Sequence, residues 1–303
     1  MKSDGSQRRK QNMENNKDAR TLYSYENQEE QQLALTIAQT LYRYDNVESD
    51  RIRTAEQLTE HQVKRFWERG YLVIDEVLNG QEISDSIEAL MDILFDRSLG
   101  SKVQYVKPKS ELRTEEEREL AARKVHDYVD HEPRLRQIAY QAGIMGVMEK
   151  LFGEGAKVVQ DQALLKPPTG GAEKPWHQDM AYGPLAFDKS VIGIWIALDP
   201  AELDNGCMHV IPYSHRDGAI PHYAVRDWQL CDLSVQVERD VAVPLKPGGA
   251  LIFSGLLHHG TPPNLSTKRR RALQIHYAPE SARKLTPQEY KKLFTNEMTG
   301  AEC

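Results

Sequence analysis

From residue 155 onward the chain changes texture, and this change most narrows the folds open to it. Apolar segments at residues 157–166, 191–198, 207–211, 235–243, 250–253 and 270–278 alternate with turns. Those turns carry Lys166-Pro167-Pro168, Pro212 and Pro247-Gly248-Gly249. Proline lacks an amide hydrogen and glycine reaches backbone angles closed to other residues, so such clusters end regular structure. Six or more short strands with no helical periodicity between them cannot form βαβ units. They predict an antiparallel sandwich or barrel.

The first half reads differently. Residues 1–25 are polar and lack periodicity, which predicts a disordered tail. Leu33, Leu35, Ile37, Leu41 and Tyr42 suggest an amphipathic helix over 28–43. Thr59-Glu60-His61-Gln62 has the form of a capping box, Gly70 is placed to end the helix it opens, and Tyr71-Leu72-Val73-Ile74 follows as a strand. Ile83, Ile87, Leu90 and Leu94 mark a further helix. Ile144, Val147, Met148 and Leu151 mark another, stopped by Gly153. Residues 107–124 are highly charged and read as a solvated helix or loop, or as a mobile segment over an active site. Thr286-Pro287-Gln288-Glu289 opens a short C-terminal helix. The expected organisation is one domain over 26–303: a helical part over 26–155, a β core over 156–280 and a helix near 286–295.

Composition excludes several classes. A formal net charge of −6 argues against a nucleic-acid binder. No apolar run approaches the ~18 residues that span a bilayer, so no membrane partner is expected. The first ten residues have no apolar core behind their charges and do not read as a secretory signal. Cys207, Cys231 and Cys303 show no close pairing, which predicts no disulfide and fits a reducing cytoplasm. No internal repeat or obligate protein partner is evident.

Within the β region stands Trp176-His177-Gln178-Asp179. In an extended segment residues i and i+2 share a face, so His177 and Asp179 can enter one cavity while Gln178 points away. An imidazole and a carboxylate suit a divalent cation, and two histidines with one carboxylate leave coordination positions open for Fe(II) chemistry with O₂. The pair His258-His259 ends an apolar run before Gly260, but adjacent residues face opposite ways and spacing does not choose between them. Farther on, Arg270, Ala272, Gln274 and His276 alternate with Leu273, Ile275 and Tyr277. The second set has the character of a core face and the first that of a polar cavity, so Arg270 points inward. Its guanidinium can hold a carboxylate through two parallel hydrogen bonds. Arg269 and Arg271 read as a solvated basic turn.

Taken in order, Leu58 to Phe66, Gly70 to Ile74, Leu165-Lys166-Pro167-Pro168, His177-Gln178-Asp179, Asn205-Gly206-Cys207-Met208, Pro212-Tyr213-Ser214-His215, His259-Gly260-Thr261 and Arg270 resemble the phytanoyl-CoA dioxygenase family of Fe(II)/2-oxoglutarate oxygenases. The resemblance covers roughly residues 56–280. It implies a double-stranded β-helix (jelly roll) with flanking helices, and metal ligands at His177, Asp179 and His259. It implies that Arg270 binds 2-oxoglutarate with help from Thr261, and that Trp195, Gln162 and Lys102 contact the same cosubstrate. It further implies a dioxygenase that uses Fe(II), 2-oxoglutarate and O₂ to hydroxylate a small molecule (an acyl-CoA, an amino-acid derivative or a natural product), releasing succinate and CO₂. Asp179 argues against halogenation, because related halogenases lack this carboxylate. Candidate substrate residues are Tyr182, Arg216, His222, Arg226 and Trp228, although the loop bearing the last four reads equally well as one fixed by its own aromatic residues. The competing readings are a jelly roll that only binds a small molecule, and the same site performing desaturation or epoxidation.

Overall fold

The structure, a computed structural model, describes residues 32, 35–37, 39–169 and 171–303. Its strands are β1 Tyr71–Ile74, β2 Lys102–Tyr105, β3 Ala122–His126, β4 Ala156–Lys166, β5 Lys174–His177, β6 Ile192–Ala197, β7 Met208–Val210, β8 Tyr223–Ala224, β9 Trp228–Gln229, β10 Val241–Val243, β11 Ala250–Ser254, β12 His259–Thr261 and β13 Arg270–Pro279. They form a seven-stranded sheet in the order β1-β11-β6-β13-β4-β3-β2, a four-stranded sheet in the order β10-β7-β12-β5, and the hairpin β8-β9. Neighbouring strands are antiparallel throughout. The fold is the expected jelly roll with flanking helices.

Beyond residue 50 the α-helices are α1 Glu60–Arg69, α2 Gly80–Leu94, α3 Glu115–Ala121, α4 Tyr128–His131, α5 Pro133–Ala139, α6 Ala142–Phe152 and α7 Pro287–Phe294. Phe66 of α1, Leu90 and Leu94 of α2, Leu135 of α5 and Met148 of α6 pack on Ile192, Ile194, Ile196, Leu273, Ile275 and Tyr277 of the large sheet. The other face of that sheet meets the small sheet through Trp195, Leu251, Phe253, Ala272, Met208 and Val210. A sheet covered on both faces needs apolar residues at both parities, which is why every residue of β6 and β11 is buried.

Helix ends follow their local signals. The Thr59 amide donates to Gln62 Oε1 at 3.0 Å, and Gly70 closes α1 with φ of +91°. A side chain at Gly70 would meet His215 Nδ1 at 2.4 Å, so glycine is required there twice over. At α7 the Glu289 carboxylate accepts from the Thr286 amide at 2.7 Å, behind Pro287 at the first helical position.

Several expectations need correcting. The tail over 1–25 and most of the 28–43 helix lie outside the described residues; residues 35–37 and 39–40 are helical, and the helix ends before Leu41. Leu41 and Tyr42 instead pack with Trp176, whose Nε1 donates to the Leu41 carbonyl at 2.9 Å. The charged 107–124 segment ends in strand β3, whose Ala122 and Val125 are buried and complete the helix-side core. Only Val241–Val243 of the 235–243 segment is strand, since backbone turns at Asp232–Ser234 and Val237–Arg239 precede it. Arg271 is no solvated turn residue: Asp199 binds it through two hydrogen bonds of 2.8 Å. Arg269 pairs with Glu119 at 2.7 Å. Cys231 and Cys303 form a disulfide across 72 residues of sequence. The step from cysteine usage to a reducing compartment therefore loses its basis. No helix among the described residues is long and apolar enough to cross a membrane.

Candidate metal centre and its cavity

Strands β5 and β12 of the small sheet pair so that His177 and His259 are register partners. His259 is thus the member of the His258-His259 pair that faces His177, with ring centroids 4.2 Å apart. Asp179 arrives differently from the expected strand alternation. β5 ends at His177, and Asp179 opens a single helical turn over Asp179–Ala181. That turn still brings the carboxylate back to the histidines. One donor atom from each of His177, Asp179 and His259 lies within 4.8 Å of the others, and all three residues are buried.

The tautomers are set by the backbone. His177 Nδ1 lies 2.7 Å from the Pro175 carbonyl and His259 Nδ1 lies 2.9 Å from the Leu257 carbonyl. A carbonyl only accepts, so each Nδ1 carries the proton and each Nε2 presents a lone pair. These lone pairs face Asp179 Oδ1 at 3.3 Å and 3.6 Å. Burial, followed by the nearby His259, pushes the His177 imidazole down to about 4. Burial alone would raise the Asp179 carboxyl, but His259 and His276 hold it well below the usual carboxylate range. Three acceptors facing one another without a proton to share are the donor set of a divalent cation, and the residues fit Fe(II).

The triplet's central residue anchors this turn. Gln178 Nε2 donates to the carbonyls of Gly218 at 2.7 Å and Leu256 at 2.8 Å, and its Oε1 accepts from the Ile220 amide at 3.1 Å. Its own amide donates to His222 Nε2 at 2.9 Å. Burial pushes His222 down to about 3, and the neutral ring is the form that accepts this bond.

The three residues open into a cavity of about 200 Å³ between the sheets. Arg270 lies in it, 2% exposed, on the parity expected from the sequence. Its Nε and Nη1 have no hydrogen-bond partner among the described residues, nor does Trp195 Nε1. The guanidinium lies 5.2 Å from the Trp195 ring centroid. Burial lowers Arg270 only to about 10, so it stays charged at neutral pH. A buried, charged and unpaired guanidinium is costly unless an anion joins it, which fits a carboxylate cosubstrate. Thr261 and Gln162 line the same cavity.

Lys102 does not line it. Its ammonium pairs with Asp127 at 2.8 Å on the outer edge strand. Lys124 on β3 enters it instead, pushed down to about 8 by burial and by Lys174. Period-two alternation of Lys124 and His126 about the buried Val125 was the available signal, hidden by the charge of the preceding helix. Arg123, Lys166, Lys174 and Glu173 were also missed. Glu173 is held by Tyr42 at 3.1 Å and Arg226 at 3.0 Å, and Lys174 by Asp227 and the Tyr182 hydroxyl.

Of the substrate candidates, only Tyr182 lines the cavity, edge-on to His177 at 5.7 Å. Arg216 stacks over Tyr213. Arg226 is held by Glu173 and Asp232, and Trp228 Nε1 donates to the Ala181 carbonyl at 2.8 Å. With His222 bound to Gln178, this loop is fixed largely by bonds to residues outside it, with His222 and Trp228 in ring contact at 6.0 Å.

The phytanoyl-CoA dioxygenase (PhyH) family model matches residues 66–272, more than half of the chain. The chain belongs to the phytanoyl-CoA dioxygenase family. It is 27% identical over 263 residues to phytanoyl-CoA dioxygenase domain-containing protein 1 of Danio rerio, covering 72% of this chain and 89% of the relative. It is 27% identical over 231 residues to a probable alpha-ketoglutarate-dependent hypophosphite dioxygenase of Stutzerimonas stutzeri, covering 73% and 79%. Among solved structures, the non-heme alpha-ketoglutarate-dependent carbocyclase SnoK from nogalamycin biosynthesis superposes with a TM-score of 0.60 at 22% identity, over 76% of this chain and 88% of that one. As a member of this family the chain is an iron- and 2-oxoglutarate-dependent dioxygenase.

Proposed function

We propose that the chain hydroxylates an aliphatic carbon of a small molecule, with His177, Asp179 and His259 holding Fe(II) and Arg270 holding the distal carboxylate of 2-oxoglutarate. The observation that carries this reading is the convergence of two imidazole lone pairs and one carboxylate oxygen beside an unpaired buried guanidinium. Fe(II), 2-oxoglutarate and O₂ together supply the oxidising chemistry, in which the cosubstrate loses CO₂ to become succinate and one oxygen atom goes to the substrate.

The chain's residues then bind, orient and exclude water. The backbone carbonyls of Pro175 and Leu257 keep both ligand imidazoles in the metal-binding tautomer. Arg270 and the Thr261 hydroxyl orient the cosubstrate, with Trp195 and Gln162 beside it. Lys124, in place of Lys102, adds a second cationic contact inside the cavity. Leu164, Pro184 and Leu185 form an apolar wall that excludes water and accepts the hydrocarbon part of the substrate, and Tyr182 lines the same cavity edge-on to His177. Acyl-CoA compounds, amino-acid derivatives and natural products are the substrate classes to try.

The test is succinate release from anaerobically iron-loaded protein across such a panel. One class should give substrate-dependent succinate and a product heavier by one oxygen atom, and His177→Ala and Asp179→Ala should give neither. Succinate formation that survives in either folded variant would overturn the ligand assignment.

A further inference from the structure

The two oxygens of Asp179 have different surroundings. Oδ1 faces the imidazole nitrogens of His177 and His259. Oδ2 accepts a hydrogen bond from His276 Nε2 at 2.8 Å and another from Gln274 Nε2 at 2.9 Å. The two donor nitrogens lie only 3.2 Å apart because both converge on that one oxygen. Gln274 Oε1 in turn accepts from Gln162 Nε2, on the cavity wall, at 3.3 Å. His276 is fully buried and Gln274 is 4% exposed, so water does not compete for these bonds.

The surrounding fold makes room for this arrangement. His276 and Gln274 project from the cavity parity of β13, and the register partner of His276 on β6 is Gly193. A Cβ at Gly193 would lie 3.3 Å from His276 Cδ2 and 2.9 Å from Phe253 Cζ. A side chain there would strike the Phe253 ring and crowd the imidazole on its line to Asp179.

A carboxylate can bind a metal through one oxygen or both. Here the second oxygen could turn to a metal only by leaving two buried donors unsatisfied. We propose that His276 and Gln274 are positioning residues that restrict Asp179 to a one-oxygen ligand, and that Gln162 extends this chain of hydrogen bonds to the cosubstrate cavity. The restriction keeps metal positions open for cosubstrate and O₂. The inference rests on the reading of His177, Asp179 and His259 as iron ligands.

The test uses the full chain and three variants: His276→Phe, which removes the donor, Gln274→Met, which removes the other, and His276→Gln, which keeps an N–H. Fe(II) affinity is measured anaerobically by competition with a chromogenic chelator. The visible spectrum of the Co(II)-substituted protein reports the ligand environment, and melting curves report the fold. His276→Phe should bind Fe(II) roughly 10–100-fold more weakly and change the Co(II) spectrum. His276→Gln should recover most of the affinity and the wild-type spectrum. Folded His276→Phe and Gln274→Met proteins with wild-type affinity and spectrum would overturn the proposal. If His276→Phe does not fold, Gln274→Met decides alone. Asp179→Ala binding iron as tightly as the wild type would instead overturn the ligand reading itself.

Discussion

At the scale of single residues, the site is defined by groups without protein partners. Arg270 is the clearest, being buried with two nitrogens unsatisfied while its neighbours Arg269 and Arg271 pair with Glu119 and Asp199. Charge-assisted hydrogen bonds contribute about 1.5–3 kcal/mol each, so Arg270→Ala should raise the KM for 2-oxoglutarate by at least roughly tenfold. Arg269→Ala should leave that KM unchanged, and steady-state kinetics on the two variants checks the contrast. Lys124 allows a pH prediction. Its amine is pushed down to about 8 in the free protein, and only the protonated form attracts an anion. Anion binding in the cavity should therefore be strong below pH 8 and weaken as pH rises through that value. Lys124→Arg should move the loss to higher pH, as seen in 2-oxoglutarate titrations at fixed iron.

Whole elements position these groups through their ends and edges. His177 closes β5, His259 opens β12 and Arg270 opens β13, so the site collects where strands meet loops. The α1–β1 junction packs against this rim. Gly70 sits at φ of +91°, and a Cβ there would strike His215 and Leu257, the latter two residues before His259. A non-glycine residue in that conformation costs about 1–2 kcal/mol before any clash. Gly70→Ala should lower unfolding free energy by at least about 1–2 kcal/mol, measured by urea denaturation with an unchanged m-value. The charged 107–124 segment shows where element-level reading failed. Most of its charges lie on α3 or before it, yet the following strand turns Lys124 into the cavity. A run judged by average polarity hides a strand whose two faces differ.

At the scale of the whole molecule, burial has collected several neutral histidines. Burial pushes His177 and His258 down to about 4 and His222 to about 3, against an unfolded value near 6.5. Below that unfolded value the unfolded chain binds more protons than the folded one. The stability contributed by each ring is therefore fully present above pH ~6.5 and is lost as pH falls toward 4, at up to about 1.4 kcal/mol per pH unit for each ring. Melting temperatures of metal-free protein should fall steeply over that interval. Saturating Fe(II) or Co(II) should raise them most at the upper end, where the His177 imidazole does not have to release a proton to bind the metal.

Much of this protein is legible along the chain because it depends on near neighbours. Strand texture after residue 155, the caps at Thr59, Gly70 and Thr286, and the inward parity of Arg270 follow from spacings of two to four residues, which local backbone geometry converts directly into faces and ends. His177-Gln178-Asp179 is legible in the same way, although a turn and not strand alternation brings the carboxylate back. What the chain does not encode locally is lateral pairing. The register of β5 on β12 puts His259 rather than His258 opposite His177, and that of β13 on β6 gives His276 the space left by Gly193. Lys124 displaces Lys102 from the cavity because β3 lies inside β2 in the sheet, and Cys231 meets Cys303 from 72 residues away. Such contacts are decided by how sheets and layers close on one core, a collective outcome of burial that no short window of sequence contains.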